Sequence, residues 1–423
     1  MASVSRFGGD RRDPRGGTAS SLCLTDASAV RVDTALIASA LFLQRFTLHF
    51  GGSSLGLDFV AVTLILAHQF ASGRLFIQYG RLLWFLLFVV AATCSLLLNS
   101  DSKRTSYGLF LVTYSVFTLT RPSTPDQYKS TLQTFQLLVL ILSWLAIVQF
   151  FAHFIVNPRK LVFFFGIVPE SMLIQPGESV EIGVKSNGIF LAEASTMSQI
   201  AALGILVEIL EFRRPRHLLV LTLAFLLAYS GTGTSMLLLG LPLAALVNPK
   251  AQLPAMGATL FALVLIATGF IDLSIFTSRL GEFQDPGASG FMRFTSSFWQ
   301  AADYFKTASL QELFFGKGPG YGFISAAFYV ASSSAWFKLF LEYGALGTFV
   351  YISLFIFCFR RSRCPKPLLF VLIYYHFVIG NIIESALLEI IVVLCTLHGP
   401  EPRRVRLNEP GEYPSSLVTG STV

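Results

Sequence analysis

The stretch LQTFQLLVLILSWLAIVQFFAHFIV, residues 132–156, contains no Asp, Glu, Lys or Arg. A helix needs about 20 mostly apolar residues to cross the hydrocarbon core of a bilayer. This stretch is long enough, and it therefore predicts a membrane-spanning helix. Similar apolar segments recur along the chain, near residues 32–50, 55–70, 82–98, 107–120, 189–211, 217–230, 233–247, 256–275, 335–358 and 368–398.

The composition also indicates a polytopic membrane protein. Hydrophobic residues make up 53% of the 423 positions, charged residues only 13%, and the mean hydropathy is +0.65. Soluble proteins average about 25% charged residues. We therefore predict an all-α membrane protein with about 11–12 transmembrane helices. Some segments are shorter than a full span, which indicates half-helices buried within the bundle.

The basic residues predict the topology. Basic loops occur at every second connection between spans, at 74–81, 121–129, 212–217, 248–250 and 359–366. Such loops favour the cytoplasmic side, so the net charge of +7 is explained without a nucleic-acid partner. Residues 1–31 are predicted to be a disordered cytoplasmic tail and 32–398 the transmembrane domain. The tail 399–423 is also basic, and placing it in the cytoplasm with the N-terminus requires an even number of spans. We therefore favour twelve spans over eleven, with 368–398 as a hairpin around Gly380.

The large loop 276–334 lies between late spans on the opposite, extracytoplasmic face in this topology. It carries four basic and four acidic residues, so it is neutral overall and not a general basic patch. Arginine binds phosphate oxygens in two places at once and stays charged when partly desolvated. Arg279 and Arg293 are therefore candidate diphosphate ligands. Pairing with Glu282 or Asp285 on the loop surface is the alternative.

The same loop contains the glycine-rich run GKGPGYG, residues 316–322. Successive backbone N–H groups in such a run can form an anion-binding nest, which makes Lys317, Gly318 and Gly320 candidate diphosphate contacts. The run does not have the spacing of a phosphate-binding Walker loop. A tight turn that returns the chain to the membrane is the favoured structural interpretation.

Carboxylates in or near the spans need a partner or a task, because a charge within the bilayer costs several kcal/mol. Glu193 lies at the extracytoplasmic start of the 189–211 segment, where it could orient a sugar hydroxyl or accept its proton. Glu342 is predicted to pair with Lys338 at i,i+4 spacing. The remaining carboxylates could be helix-packing pairs or water-lined groups, and the sequence does not rank them: Asp58, Glu384 and Glu389.

The sequence lacks the motifs of metal-dependent and disulfide-forming proteins. The chain has no His-Glu-x-x-His motif and no paired cysteine set, so neither a dedicated zinc site nor another cofactor is predicted. The five cysteines fall in spans or in segments assigned to the cytoplasm, so none is placed for an extracytoplasmic disulfide. An enzyme on the outer face has no nucleotide pool, and a lipid-linked diphosphate would supply the leaving group instead.

Five short motifs occur in an order that resembles the O-antigen polymerase and ligase superfamily of membrane glycosyltransferases. They span roughly residues 185–350, and are GIFLAEAS at 188–195, YSGTGT at 229–234, Ser289-Gly290-x-x-Arg293, FGKGPG at 315–320, and Leu339-x-x-Glu342-x-Gly344-x-x-Gly347. The resemblance implies a fold of the GT-C-like membrane glycosyltransferase type. It also implies a polyprenyl-diphosphate-linked glycan as substrate, bound at the periplasmic face of the bacterial inner membrane.

By this resemblance Arg293 and Arg279 would hold the diphosphate, and Glu193 would sit near the acceptor. The ligase branch commonly has a His-Asn pair before its Leu-x-x-Leu-x-Glu-x-Gly segment, where this chain has Ser333 and Ser334. That departure favours the polymerase branch, of the Wzy type, which builds capsule, exopolysaccharide or O-antigen. A polysaccharide chain-length regulator is a further candidate partner.

The predicted reaction is a metal-independent displacement that inverts the anomeric carbon, with the polyprenyl diphosphate as leaving group. Three alternatives stay open: a ligase-type transferase, a flippase or transporter of lipid-linked glycans, and a non-enzymatic assembly protein. A transporter shares the many spans but does not need a large loop with arginines on one face. An assembly protein predicts that changes at Glu193, Arg279 and Arg293 are tolerated.

Overall fold

The computed structural model describes residues 18–50, 53–100, 102–175, 180, 185–269, 281, 291, 295–321, 334–380 and 385–399. Most of these residues are helical, and the few strands are two to four residues long. The prediction of a helical protein is therefore confirmed.

The elements follow one another from the N-terminus as helices joined by short strands and loops. The helices are α1 (Thr18–Phe42), α2 (Leu57–Ala71), α3 (Tyr79–Leu98), α4 (Arg104–Ser115), α5 (Pro125–Ala152), α6 (Pro158–Val162), α7 (Ala194–Val207), α8 (Pro215–Leu227), α9 (Gly231–Val247), α10 (Gln252–Ala267), α11 (Ser296–Thr307), α12 (Leu310–Phe315), α13 (Ala335–Phe359), α14 (Lys366–Tyr374) and α15 (Ser385–Ile391). Turns of π-helix extend α7 to Phe212, α14 to Ile379 and α15 to Thr396. The strands are β1 (Thr47–Phe50), β2 (Ser53–Gly56), β3 (Phe76–Ile77), β4 (Leu119–Pro122) and β5 (His398–Gly399).

The start of α5 shows how local sequence sets a helix end. The Gln127 N–H donates to the Thr124 hydroxyl at 3.2 Å, and the Thr124 N–H donates to the Gln127 side chain at 2.9 Å. This capping box, followed by Pro125 in the first turn, satisfies N–H groups that have no partner inside the helix. The 28 residues of α5 make a helix of about 42 Å, which is longer than the ~30 Å hydrocarbon core of a bilayer.

Among the described residues, four helices are long and apolar enough to cross a membrane. They are α3, α5, α7 with its π-helical extension, and α13. Shorter apolar helices pack among them, and their assignment as half-helices stays a prediction. The structure is thus consistent with an all-α membrane protein, and the count of 11–12 spans stays a prediction.

Helix α7 is the central element of the bundle. All its residues from Thr196 to Val207 are buried, and it packs against α5, α8 and α9. Close contact with α9 depends on Gly233, where a Cβ atom would lie 2.6 Å from the backbone carbonyl of Ser198. A helix buried on every side is rigid, so it holds the residues at its ends in fixed positions.

Loops predicted to be cytoplasmic meet at one end of the bundle. β3 pairs with β4, and β4 pairs with β5. Arg81, which is buried, donates to the carbonyl oxygens of Leu119 at 3.0 Å and Thr396 at 2.9 Å. Segments that come from distant parts of the chain are thereby tied together.

Segments predicted to be extracytoplasmic also contact one another. β1 and β2 form a hairpin, and the backbone N–H of Ile174 donates to the carbonyl of Arg45 at 2.7 Å. The N–H of Lys103 donates to Pro319 at 2.8 Å, so the large loop contacts the connection between α3 and α4.

Two predicted span boundaries are wrong. The span near 32–50 ends as a helix at Phe42, because residues 47–50 pair with 53–56 in the hairpin. Helix α1 begins at Thr18 and contains no Gly or Pro, and the disordered tail over residues 1–31 stays a prediction. The 189–211 segment becomes helical only at Ala194, because Ile189 has a φ of 71° and Glu193 is extended.

Two other segments are resolved into more elements than the sequence indicated. The predicted span 368–398 is divided between α14 and α15 with their π-helical turns, and the hairpin stays a prediction because residues 381–384 lie outside the described residues. The large loop 276–334 contains α11 and α12, so part of it is regular helix.

Candidate functional site

The glycine-rich turn at 316–321 docks into a break in α13. Gly344 interrupts that helix with φ 65° and ψ −169°, which leaves carbonyl groups before it without helical partners. The N–H of Lys317 donates to Leu341 at 2.8 Å, and the N–H of Gly318 donates to Glu342 at 3.1 Å. The turn therefore completes the hydrogen bonding of the broken helix.

Close approach explains the glycines of this turn. Gly316, Gly318 and Gly320 all have positive φ, and a Cβ at Gly318 would overlap the Ser102 hydroxyl. The N–H groups of Gly316, Lys317 and Gly318 donate to backbone carbonyls. Residues 316–321 therefore form a tight turn. These three N–H groups already have acceptors, so an anion bound in a nest here would compete with backbone carbonyls.

The Lys317 side chain remains partly exposed, at 23%. Its ammonium lies 3.7 Å from the Glu312 carboxylate and 5.5 Å and 5.1 Å from the ring centroids of Tyr304 and Tyr321. Two aromatic faces and one carboxylate thus hold the cation in place. Lys317 is positioned at the surface of the loop, where a charged ligand can reach it.

Glu312 is itself held by the start of α12. The backbone N–H of Ser309 donates to its carboxylate at 2.7 Å, and the Glu312 N–H donates to the Ser309 hydroxyl at 3.2 Å. The Ser309 N–H, followed by the charge of Lys317, lowers the pKa of Glu312. Burial and the nearby Glu312 charge raise the pKa of Tyr304 to about 12. Tyr304 is therefore a neutral ring beside Lys317 at physiological pH.

Lys338 and Glu342 lie in the half of α13 that precedes the break, and both are buried, at 5% and 3% exposure. Their opposite charges attract one another, as their i,i+4 spacing predicts. The Glu342 backbone carbonyl accepts from Gly318 and also from the Ser95 hydroxyl at 2.6 Å. This charged pair sits directly where the loop joins the helix.

Glu193 is exposed at the N-terminal end of the central helix α7. It occupies the N-cap position with extended backbone, and the Ser195 hydroxyl donates to its carboxylate. The structure therefore presents this carboxylate to solvent from the end of the most buried helix of the bundle. A rigid support of this kind is what a catalytic or binding carboxylate needs.

A network that the sequence did not reveal supports the segment before Glu193. The guanidinium of Arg45 is fully buried and donates to the carbonyls of Val162 and Ile189, both at 2.8 Å. The Gln149 side-chain oxygen accepts from the Ser186 hydroxyl at 2.8 Å, and its amide donates to Asn187 at 2.9 Å. Polar residues inside apolar segments, such as Gln149, are the signal that could have identified this network.

The neighbouring N-terminus of α9 adds hydroxyl and amide groups beside the start of α7. The Gln199 amide donates to the Thr232 hydroxyl at 3.0 Å, and the N–H of Gly233 donates to the Ser198 hydroxyl at 3.3 Å. Both helices begin at this end of the bundle, so the positive ends of two helix dipoles lie near Glu193.

The predicted site residues fall into two groups in the structure. Lys317, Gly318, Gly320, Lys338 and Glu342 share one region, where the loop turn meets α13 and α3. Glu193 belongs to the region formed by α7, α9 and the hairpin side of the bundle. Arg279 and Arg293 lie outside the described residues. Within the described residues no three His, Cys, Asp or Glu side chains come together as a metal site.

The fold is that of a mostly helical protein, consistent with an all-α membrane protein. Comparison with protein-family models, curated proteins and solved structures finds no match. The functional argument therefore rests on the residues of this chain.

Proposed function

We propose that the protein is a twelve-span membrane protein of the bacterial inner membrane, with both tails in the cytoplasm. The support is the grouping of its loops. The basic segments around β3, β4 and β5 pair at one end of the bundle, whereas Pro319 contacts Lys103 among the loops assigned to the other face. Positively charged loops gathered on one side fit a cytoplasmic location.

We further propose that it is a glycosyltransferase, which polymerises polyprenyl-diphosphate-linked repeat units into surface polysaccharide at the periplasmic face. The observation that carries this proposal is Glu193, an exposed carboxylate fixed at the end of the buried helix α7. The sequence assigns the end of α7 that bears Glu193 and the arginine-bearing loop 276–334 to the same face. A lipid-linked diphosphate and a sugar hydroxyl can meet on such a face.

The reaction joins an acceptor hydroxyl to the anomeric carbon of the donor sugar. A new C–O glycosidic bond forms as the bond from that carbon to the diphosphate oxygen breaks, and the acceptor hydroxyl loses its proton. Glu193 takes that proton as the general base. Direct displacement inverts the configuration at the anomeric carbon.

Cationic side chains stabilise the leaving group. Negative charge grows on the polyprenyl diphosphate as the bond breaks, and arginines placed beforehand stabilise it most in the transition state. Arg293 and Arg279 have this role, and Lys317, held by Tyr304 and Tyr321, adds a third charge. No metal ion is required by this assignment.

Deleting the protein in its host tests the assignment directly. Single repeat units on the surface are expected for a polymerase. Intact polymer left on its lipid carrier would identify a ligase instead. Unpolymerised units retained on the cytoplasmic side would identify a flippase.

Point variants test the site within the intact protein. Glu193→Gln and Arg293→Ala should each reduce polymer at least about 100-fold, the size of effect typical of a general base. Glu170→Gln and Lys306→Ala are matched controls, because both residues are exposed and have no proposed role. Normal polymer from Glu193→Gln and Arg293→Ala variants that reach the membrane would contradict the site and favour the assembly protein. Purified protein should extend a polyprenyl-diphosphate-linked acceptor in the presence of EDTA.

A further inference from the structure

A carboxylate on α15 is buried away from the proposed glycosyl-transfer site. Glu389 is 6% exposed, and neither oxygen of its side chain has a hydrogen-bond partner among the described residues. An ionised carboxylate in such a position is costly, because apolar surroundings replace its hydration shell. Nothing in the proposed reaction uses this residue.

A second buried carboxylate lies near it. Asp58, in the first turn of α2, is fully buried, and its charge acts on Glu389. Two carboxylates in one apolar site do not both ionise readily, since like charges repel most strongly where water is excluded. The pair therefore favours a state in which one proton is bound.

The charged groups on the neighbouring helices do not neutralise Glu389. Helix α15 packs against α1 and α2. Over residues 28–42 and 57–71, where the side chains of these two helices are described, the other ionisable groups are Arg31, Asp33 and His68. Asp33 is paired with Arg121, and Arg31 and His68 line a separate pocket. Among the groups that the structure describes, Asp58 is the charged one that acts on Glu389.

Glu389 also lines a small cavity of about 30 Å³, between α2, α4 and α15. That volume is enough for one water molecule. Thr113 lines the same cavity and donates its own hydroxyl proton to the Leu109 carbonyl at 2.8 Å. Its oxygen can therefore accept a hydrogen bond from a protonated carboxyl.

The cavity suits a proton better than a metal ion. Its other lining residues are mostly apolar, among them Phe59, Val62 and Leu388. A calcium ion takes about six to eight oxygen ligands, and this lining offers far fewer. We propose that Asp58 and Glu389 form an exchangeable proton-binding site, in which Glu389 carries the proton at neutral pH and donates it to Thr113 or to a water in the cavity.

Carbodiimide labelling tests the proposal on the full-length protein in detergent. The proton and an oxygen of a protonated carboxyl add across one C=N bond of dicyclohexylcarbodiimide, and the adduct rearranges to a stable N-acylurea. Carboxylates exposed to water are ionised at about pH 7 and react slowly. We expect the adduct at Glu389 by peptide mass spectrometry, at least tenfold above that at exposed Glu170.

The variants Glu389→Gln and Asp58→Asn separate the proposal from simple burial. Glu389→Gln should lose the adduct at that peptide and keep the wild-type elution profile, because glutamine has the shape of the protonated acid. Asp58→Asn should lower labelling of Glu389 at neutral pH several-fold, because the repelling charge is gone. Absence of the adduct from the wild-type protein, or equal labelling with and without the Asp58 charge, would overturn the proposal.

Discussion

The break in α13 gives a prediction whose sign depends on the structure. In an uninterrupted exposed helix, replacing glycine with alanine increases stability by about 1 kcal/mol. Gly344 instead has φ 65° and ψ −169°, a region that only glycine occupies without strain. A Cβ there would also lie 2.5 Å from the N atom of Gly316. We therefore expect Gly344→Ala to destabilise the protein.

The expected magnitude has two parts. Backbone strain at a position of this kind costs about 1–3 kcal/mol. Displacing the turn removes the hydrogen bonds from Lys317 to Leu341 and from Gly318 to Glu342, at about 1 kcal/mol each. Together these give a loss of about 4 kcal/mol in the free energy of unfolding.

Denaturant titration in mixed micelles measures this free energy, and limited proteolysis reports whether the 316–321 turn has come loose. Gly257→Ala is the matched control, because Gly257 lies in α10 with open space around its Cβ position. It should gain about 1 kcal/mol. If Gly344→Ala also stabilises the protein, or leaves the turn as protected as before, the docking of the loop into the helix is refuted.

Three further predictions concern packing, positioning and pH. Gly233→Ala puts a Cβ 2.6 Å from the Ser198 carbonyl and should lower the free energy of unfolding by about 1–3 kcal/mol, because α7 and α9 must move apart. Gly231→Ala is the control, because the space around its Cβ position is open. Equal denaturation midpoints for the two variants would contradict the close packing of α7 on α9. Arg45→Met removes the hydrogen bonds to Val162 and Ile189. It should cost about 1–3 kcal/mol and lower polymer yield by displacing Glu193. Normal yield would contradict the positioning role of Arg45. The pKa of Glu312 is lowered in the folded protein. Its ionised side chain therefore stabilises the start of α12 fully when the pH is above about 4.3, the ordinary glutamate pKa. This stabilisation is lost as the pH falls through the lower pKa of the folded protein. The amide-exchange protection factors of residues 310–315 should fall in acid for the wild type and should not change with pH for Glu312→Gln. If both proteins show the same dependence of protection on pH, the cap does not depend on the charge of Glu312.

The sequence predicted the helices whose apolar runs are continuous. α5 and α13 were identified because a long apolar stretch can bury itself in only a few ways, and backbone hydrogen bonds must be satisfied within the segment. The prediction failed at residues 47–50, which are as apolar as a helix but pair with 53–56. Gly51-Gly52 between the two runs is a local hairpin signal. The contacts of buried Arg45 with Val162 and Ile189 are long-range, and no local pattern indicates them.

Only part of the candidate site could be predicted from the sequence, because many of its contacts are also long-range. Glu193 stood out because a carboxylate at the edge of an apolar run is unusual. The support from Gln149 and Asn187, and the ring contacts that hold Lys317, join residues far apart in sequence. The glycine run was interpreted as a turn because its spacing excluded a Walker loop. Residues 316–321 do form a turn, and the return of the chain to the membrane stays a prediction. What it docks against depended on the break at Gly344.

The docked turn also bears on the order in which the protein is made. The carbonyls of Leu341 and Glu342 are completed by Lys317, Gly318 and Ser95, and all three partners precede α13 in the chain. A ribosome therefore delivers the partners before the helix that needs them.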